Sequence, residues 1–235
     1  MNNEGILLID KPAGRTSFSL IKTLRKRLNI QKIGHAGTLD PLACGVMVIL
    51  LGRAYTRLSD QFLKQDKEYK AQIHLGVSTE TFDTEGSVTA YSEKVPSEEE
   101  ILAAVTKFQG SVMQVPPMYS AKKVNGQALY KLARQGKIVP RDPVEVHLKI
   151  EILAYHYPHL ELKIACSKGT YIRSLANDLG AVLGCGGHLS YLQRTRSGQF
   201  SIDDCLEPSV LEDKDFDFQP CIKKIANPFI CTTTA

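Results

Sequence analysis

Two runs of strict alternation constrain this chain more than any other feature. Val144, Val146, Leu148, Ile150 and Ile152 take every second position, and Leu160, Leu162, Ile164 and Cys166 repeat the pattern after residues 153–159. A period of two puts the apolar side chains of a strand on one face, so each run needs a core to cover it and a neighbour to take its backbone hydrogen bonds. The short separation makes each run the other's neighbour, as adjacent antiparallel strands. Lys67 to Leu75 alternates as well, with Tyr69, Ala71, Ile73 and Leu75 on one face, so Tyr69 points the same way as the core. Gly5-Ile-Leu-Leu-Ile9 reads as a short buried strand running into the turn Asp10-Lys11-Pro12-Ala13-Gly14.

Helical patterns fall between these strands. Thr16 or Ser17 caps a predicted helix to Leu28, with Phe18, Ile21, Leu24 and Leu28 inward and Arg25, Lys26 and Arg27 mostly outward. Arg53 to Gln65 has helical character. Ser97 with Glu100 is a capping-box pattern that opens a helix through Phe108, stopped by Gly110. Gln127 to Gln135 is a short helix ended by Gly136, and Thr170 to Leu183 carries Ile172, Leu175, Leu179 and Val182 inward until Gly184. Strand pairs with intervening helices predict an α+β fold rather than a doubly wound parallel sheet.

The 235 residues are 43% hydrophobic, enough apolar material to offset chain entropy, which excludes a collagenous, low-complexity or wholly disordered chain. The longest apolar run, Val46 to Leu51, is far below the roughly 20 residues a bilayer span needs. The N-terminus has no basic start followed by an apolar stretch, so the expected compartment is the cytoplasm. The cysteines, at 44, 166, 185, 205, 221 and 231, form no close pairs, and reduced thiols are expected rather than a disulfide framework or a zinc clip. His156 and His159 lie in a segment with Tyr155, Tyr157 and Pro158 that makes a poor helix, and no metal site is expected.

Charge is unevenly distributed. Residues 1–75 hold 12 basic and 6 acidic side chains and residues 119–200 hold 12 and 5, whereas residues 76–118 hold 2 and 7 and residues 201–235 hold 3 and 7. If the basic segments share one face they attract a polyanion such as RNA or DNA; a solvated lysine-rich surface is the plainer reading of the same counts.

The segment Gly34-His-Ala-Gly-Thr-Leu-Asp-Pro-Leu-Ala-Cys-Gly-Val46 is the most informative loop. Its glycines permit unusual backbone conformations, and Pro41 biases Asp40 toward extended geometry, so a carboxylate sits on a stiffened loop leading into a buried element. Taken alone, Asp40 is also an ordinary turn residue and His35 a histidine bonded to a nearby carbonyl. The whole segment, however, resembles the catalytic motif of the TruB-type tRNA pseudouridine-55 synthases. The resemblance recurs in Gly5-Ile-Leu-Leu-Ile-Asp-Lys-Pro12, Lys67-Glu-Tyr-Lys70, Thr79-Glu-Thr-Phe-Asp-Thr-Glu-Gly86, Pro116-Pro-Met-Tyr-Ser-Ala-Lys122, Gly126 to Arg134, Cys166-Ser-Lys-Gly-Thr-Tyr-Ile-Arg173, and Gly187-His-Leu through Leu192 to Gly198.

That resemblance implies the pseudouridine synthase fold, a mixed, largely antiparallel central sheet flanked by helices. It implies Asp40 as the catalytic aspartate, Tyr69 as an active-site tyrosine against the target base, Arg173 as the arginine that pairs with the catalytic carboxylate, and Asp83 as the acidic partner of that network. His35 resembles the histidine that fills the space the extruded base leaves. Tyr171 and Leu192 match substrate-pocket positions, and Lys11 a basic residue near the cleft. The implied activity is isomerisation of the uridine at position 55 in the tRNA T-loop, with no cofactor and no metal; no membrane and no protein partner are implied, and the size suits a monomer. A tRNA-folding chaperone, or the same chemistry on another RNA, are the alternatives. Bacterial members usually carry a C-terminal PUA domain. Here residues 1–206 are expected to form the catalytic domain and residues 207–235 a short acidic segment with no PUA domain.

Overall fold

The computed structural model describes residues 4–124 and 126–224; the expected fraying of the last residues and the thiol of Cys231 lie outside that set. The chain forms two compact units, one running to Gln65 and resuming at Arg196, the other spanning Asp66–Thr195. In the first unit, β1 (Gly5–Lys11), α1 (Ser17–Leu28), β2 (Ile33–His35), β3 (Cys44–Leu51), α2 (Gly52–Thr56) and α3 (Ser59–Leu63) follow in order. The second unit contains β4 (Lys67–Leu75), β5 (Val77–Thr79), β6 (Val88–Tyr91), α4 (Glu98–Thr106), β7 (Gly110–Gln114), β8 (Lys123–Val124), β9 (Gln127–Ala128), α5 (Leu129–Ala133), β10 (Val144–His156), β11 (His159–Cys166), α6 (Ile172–Leu183) and most of β12 (Gly187–Ser197). A short β13 (Phe200–Ser201) pairs with the end of β12 through Arg196 and Ser197, back in the first unit. Among the described residues, no helix is long and apolar enough to cross a membrane.

In the first unit β1 and β3 pair antiparallel from Gly5 opposite Leu51 to Lys11 opposite Gly45, and β2 adds to β3. Ile6, Leu8, Val46, Val48, Leu50, Phe62 and Phe200 form its core cluster. Removing such side chains from water at about 25 cal/mol per Å² is what holds the layer together. The described part of the acidic segment, 207–224, contains two short 3-10 helices, Pro208–Leu211 and Gln219–Cys221, and is tied to the rest of the unit. Ile6 exchanges both backbone hydrogen bonds with Lys223, Leu206 bonds Leu8 and Asp10, and Arg27 donates to the carbonyls of Val210 and Phe216 while lying over the Phe218 ring at 4.8 Å.

In the second unit the strand order is β12-β4-β11-β10-β7. The hairpin read from the alternating runs is present, with Leu148 opposite Cys166, Ile150 opposite Ile164 and Ile152 opposite Leu162. Strand β4 buries Tyr69, Ala71, Ile73 and Leu75 as its period requires.

Four details depart from the sequence reading. Phe18 is 69% exposed, because Ser17, one residue or about 100° away on the helix, takes the inward position of the first turn. Val182 is likewise exposed and Leu183 buried in its place. The helix expected over 53–65 breaks into α2 and α3; the Thr56 hydroxyl bonds back to the Arg53 carbonyl, which bends a helix, and the break lets Tyr55, Leu58 and Phe62 all reach the core cluster. The helix expected from Gln127 begins only at Leu129, since Gln127 and Ala128 pair with Val124 and Lys123.

Three histidines line up across the second unit's sheet. His74 on β4 sits opposite His159 on β11, with ring centroids 5.3 Å apart, and 5.2 Å from His188, whose Nδ1 lies 2.9 Å from the Val77 carbonyl oxygen. Burial, then the flanking His188 and His159, hold His74 below its ordinary value of 6.5. The unfolded chain therefore takes up a proton near pH 6.5 that the folded chain refuses, so stability is complete above pH 6.5 and falls as the pH drops through it. Urea unfolding midpoints between pH 7.5 and 5.5 should decline more steeply for the wild-type protein than for His74→Gln.

Candidate active site

The site residues of the first unit are Lys11, His35 and Asp40. His35 ends β2, half-buried and opposite Ile49. The loop that follows is anchored by the buried Ala36, Leu39 and Ala43 and leaves Asp40 half-buried. At Gly37 and at Gly45 the backbone has φ of 104°, a conformation open to glycine and costly for other residues. The loop has few ladder partners, so its backbone is satisfied from elsewhere. Ser17 Oγ donates to the Leu39 carbonyl at 2.9 Å and accepts from the Leu39 N–H at 3.0 Å. The Pro41 carbonyl accepts from the Gly14 N–H at 2.8 Å and from Lys11 Nζ at 3.4 Å. Asp10 Oδ1 accepts from the Gly45 N–H at 3.0 Å, and burial pushes the Asp10 carboxyl above the ordinary carboxylate value.

Lys11 is fully buried. Its ammonium donates to the carbonyls of Pro12 at 2.9 Å and Arg15 at 2.5 Å in the turn after β1 and to Pro41 in the loop of Asp40, and so joins the two segments.

The second unit holds Tyr69, Asp83, Tyr171, Arg173 and Leu192. The structure brings Arg173 and Asp83 together as a buried ion pair, Nη1 to Oδ2 at 3.4 Å, with side chains 5% and 2% exposed. The guanidinium also donates to the Thr81 carbonyl at 2.9 Å and the Tyr119 carbonyl at 2.7 Å. The other Asp83 oxygen accepts from the Thr81 hydroxyl at 2.5 Å and the Glu85 N–H at 3.0 Å. A buried pair is tolerable when the remaining lone pairs and protons are met in this way. Tyr119 in turn donates its hydroxyl to Glu80 at 2.7 Å, a bond that holds the phenol above its ordinary value. The segment carrying Pro116 to Lys122 is thereby latched over the arginine.

Tyr69 sits on the core-facing side of β4 opposite Ile164, 9% exposed, and Leu192 is buried on the neighbouring β12. Tyr171 precedes α6, and Gln114 grips both of its backbone groups, donating to its carbonyl at 3.0 Å and accepting from its N–H at 2.8 Å.

Five residues of these surroundings were missed in the sequence: Ser17, Gln114, Tyr119, Lys67 and Arg194. Lys67 and Arg194 are buried cations. Burial, then the neighbouring Arg194, lower the Lys67 ammonium to about 8. The signal was available, because Lys67 shares the inward phase of Tyr69 and Ala71, and Arg194 that of Leu192. A charged side chain in an apolar phase marks a polar site under the sheet. Among the described residues no group of histidines, cysteines or carboxylates is arranged to hold a metal ion.

Against this geometry, the comparisons with known proteins agree with one another. The family model described as the N-terminal domain of TruB family pseudouridylate synthase matches residues 25–172, and that of the tRNA pseudouridylate synthase B C-terminal domain matches residues 173–218. A protein of Protochlamydia amoebophila named tRNA pseudouridine synthase B is 61% identical over 203 residues, covering 86% of this chain and 78% of that protein. One of Chlamydia felis with the same name is 55% identical over 220 residues, covering 94% of each. Among solved structures, a chain of a Cbf5-Nop10-Gar1 complex superposes with a TM-score of 0.71 at 29% identity, over 94% of this chain and 60% of that one.

The ion pair yields a stability test. Asp83→Ala leaves the Arg173 guanidinium buried without its carboxylate, and is expected to cost about 3–5 kcal/mol, read from urea denaturation. Arg173→Lys should recover little of the function of Arg173, since an ammonium cannot reach Asp83, Thr81 and Tyr119 from one planar group.

Proposed function

The chain belongs to the TruB family of pseudouridylate synthases, and from that membership we propose that it converts the uridine at position 55 of the tRNA T-loop to pseudouridine, with Asp40 as the carboxylate that acts on the nucleotide. The observation that carries this reading is the clamped loop of Asp40, a half-buried carboxylate whose chain is held by five hydrogen bonds at Leu39, Pro41 and Gly45.

The reaction breaks the N1–C1′ bond, turns the base and joins C5 to C1′. Nothing is oxidised and no group is transferred to a second molecule, so the chemistry calls only for positioning and for acid, base or nucleophilic work by side chains. The uridine must first leave its stack, at a cost of a few kcal/mol. Stacking against an aromatic ring returns about 1–3 kcal/mol, the role assigned to Tyr69. His35 takes the place of the extruded base in the RNA, Tyr171 and Leu192 line the base, and Lys11 acts by holding the Asp40 loop. Arg173, kept in place by Asp83, supplies fixed positive charge, which favours ionised carboxylates and developing negative charge. Exposed cations such as Lys22, Arg25 and Lys26 on α1 contact phosphates of the T-arm, which makes binding salt-dependent. The enzyme works as a monomer in the cytoplasm.

Tritium release from tRNA labelled at C5 of uridine measures turnover directly. Asp40→Asn is expected to reduce that release at least about a hundredfold, the lower range of what a positioned acid or base contributes, while filter binding of tRNA stays within about threefold of wild type. Full release by Asp40→Asn would sink the proposal.

A further inference from the structure

Ser17 is the first residue of α1, one position past the N-cap, the place at a helix start where a serine or threonine side chain serves the helix. Here that task is done by its neighbour. Thr16 is the N-cap, and its Oγ1 accepts from the Ser19 N–H at 3.0 Å. The Ser17 hydroxyl, 4% exposed, is directed elsewhere, to a residue 22 positions along the chain, and it uses its proton and a lone pair on the two backbone groups of Leu39. A buried hydroxyl without a partner is unfavourable, and so is each of the Leu39 backbone groups left unmet if Ser17 is removed. A hydrogen bond to the N–H and another to the C=O of one residue fix both dihedral angles of that residue. Leu39 is the residue before Asp40, with its side chain buried, so its conformation sets the direction from which the Asp40 side chain leaves the backbone.

Resting on the assignment of Asp40 above, we propose that Ser17 is a positioning residue of the reaction: it aims the Asp40 carboxylate by locking Leu39, and so couples the first turn of α1 to the reacting group without touching substrate. The role differs from that of Lys11, whose ammonium donates to the Pro41 carbonyl on the other side of Asp40. Ser17 grips the chain before the carboxylate and Lys11 the chain after it.

The test uses the intact protein and tRNA. Ser17→Ala should lower kcat about ten- to hundredfold, the scale on which an ångström of misplacement acts, with KM for tRNA within about twofold of wild type. Ser17→Thr, which keeps the hydroxyl, should return most of kcat, and Ser17→Cys, which keeps the volume with weaker hydrogen bonds, should fall between, at least about threefold below wild type. Amide hydrogen exchange followed by peptide mass should show the segment 36–43 losing protection in Ser17→Ala while β10 and β11 keep theirs. A kcat for Ser17→Ala or Ser17→Cys within about twofold of wild type overturns the proposal, as does a loss that only follows a smaller folded fraction. Should Ser17→Ala fail to fold, the Ser17→Cys comparison decides alone. If the wild-type protein itself releases no tritium, the assignment of Asp40 falls and this proposal with it. That outcome is distinct from an active wild type whose Ser17 variants are unimpaired.

Discussion

A backbone N–H or C=O taken out of water must find a partner, and a loop without a ladder cannot supply one from within. Much of this structure answers that requirement. In the first unit the segment between β2 and β3 is hydrogen-bonded to Ser17, Lys11 and Gly14, and the start of β3 to Asp10, which accepts from the Gly45 N–H; these partners come from β1, the turn after it and the first turn of α1. In the second unit Gln114 holds both backbone groups of Tyr171, and Gln109 does the same for Ile150. One side chain that both donates and accepts thus replaces a strand pair. The glycines of the Asp40 loop allow the turns; the attached side chains choose among them.

The charges follow a related logic. Lys11, Lys67, Arg173 and Arg194 are all buried, and burying a cation is unfavourable unless its donors are met. Lys11 is met by carbonyls and Arg173 by a carboxylate plus carbonyls. None of the four is placed on the surface to meet a phosphate. The basic excess counted along the sequence therefore overstates the field offered to RNA, and part of it is internal scaffolding of the two units.

Periodicity made the sheets legible. The hairpin of β10 and β11 and the inward phase of β4 required only a count of two, and the cap and stop of α4 and α6 only Ser97, Glu100 and Gly184. Helix faces were read less well, since Phe18 and Val182 each lie one residue from the position that is buried. An apolar stripe has soft edges, and the protein used Ser17 and Leu183 there instead. The candidate site was legible as a set of residues, because motifs keep their spelling, but not as a set of contacts. Nothing in the spacing of Ser17 and Leu39, or of Tyr119 and Arg173, says that they meet. Such bonds join segments far apart in sequence, and the tertiary fold alone decides them.

The first unit is not continuous in the chain. Its β1 exchanges hydrogen bonds with Lys223 at one end and with Leu206 toward the other, whereas Asp66–Thr195 is one uninterrupted stretch. On a ribosome adding about 5–20 residues per second, Ile6 therefore waits roughly 10–40 seconds for its last partner to be made, while the middle of the chain already has all its own. In birth order the unit that bears Asp40 is completed last. Until then the apolar strand Ile6 to Ile9 has an unfinished edge, a row of unmet N–H and C=O groups of the kind on which another chain can pair.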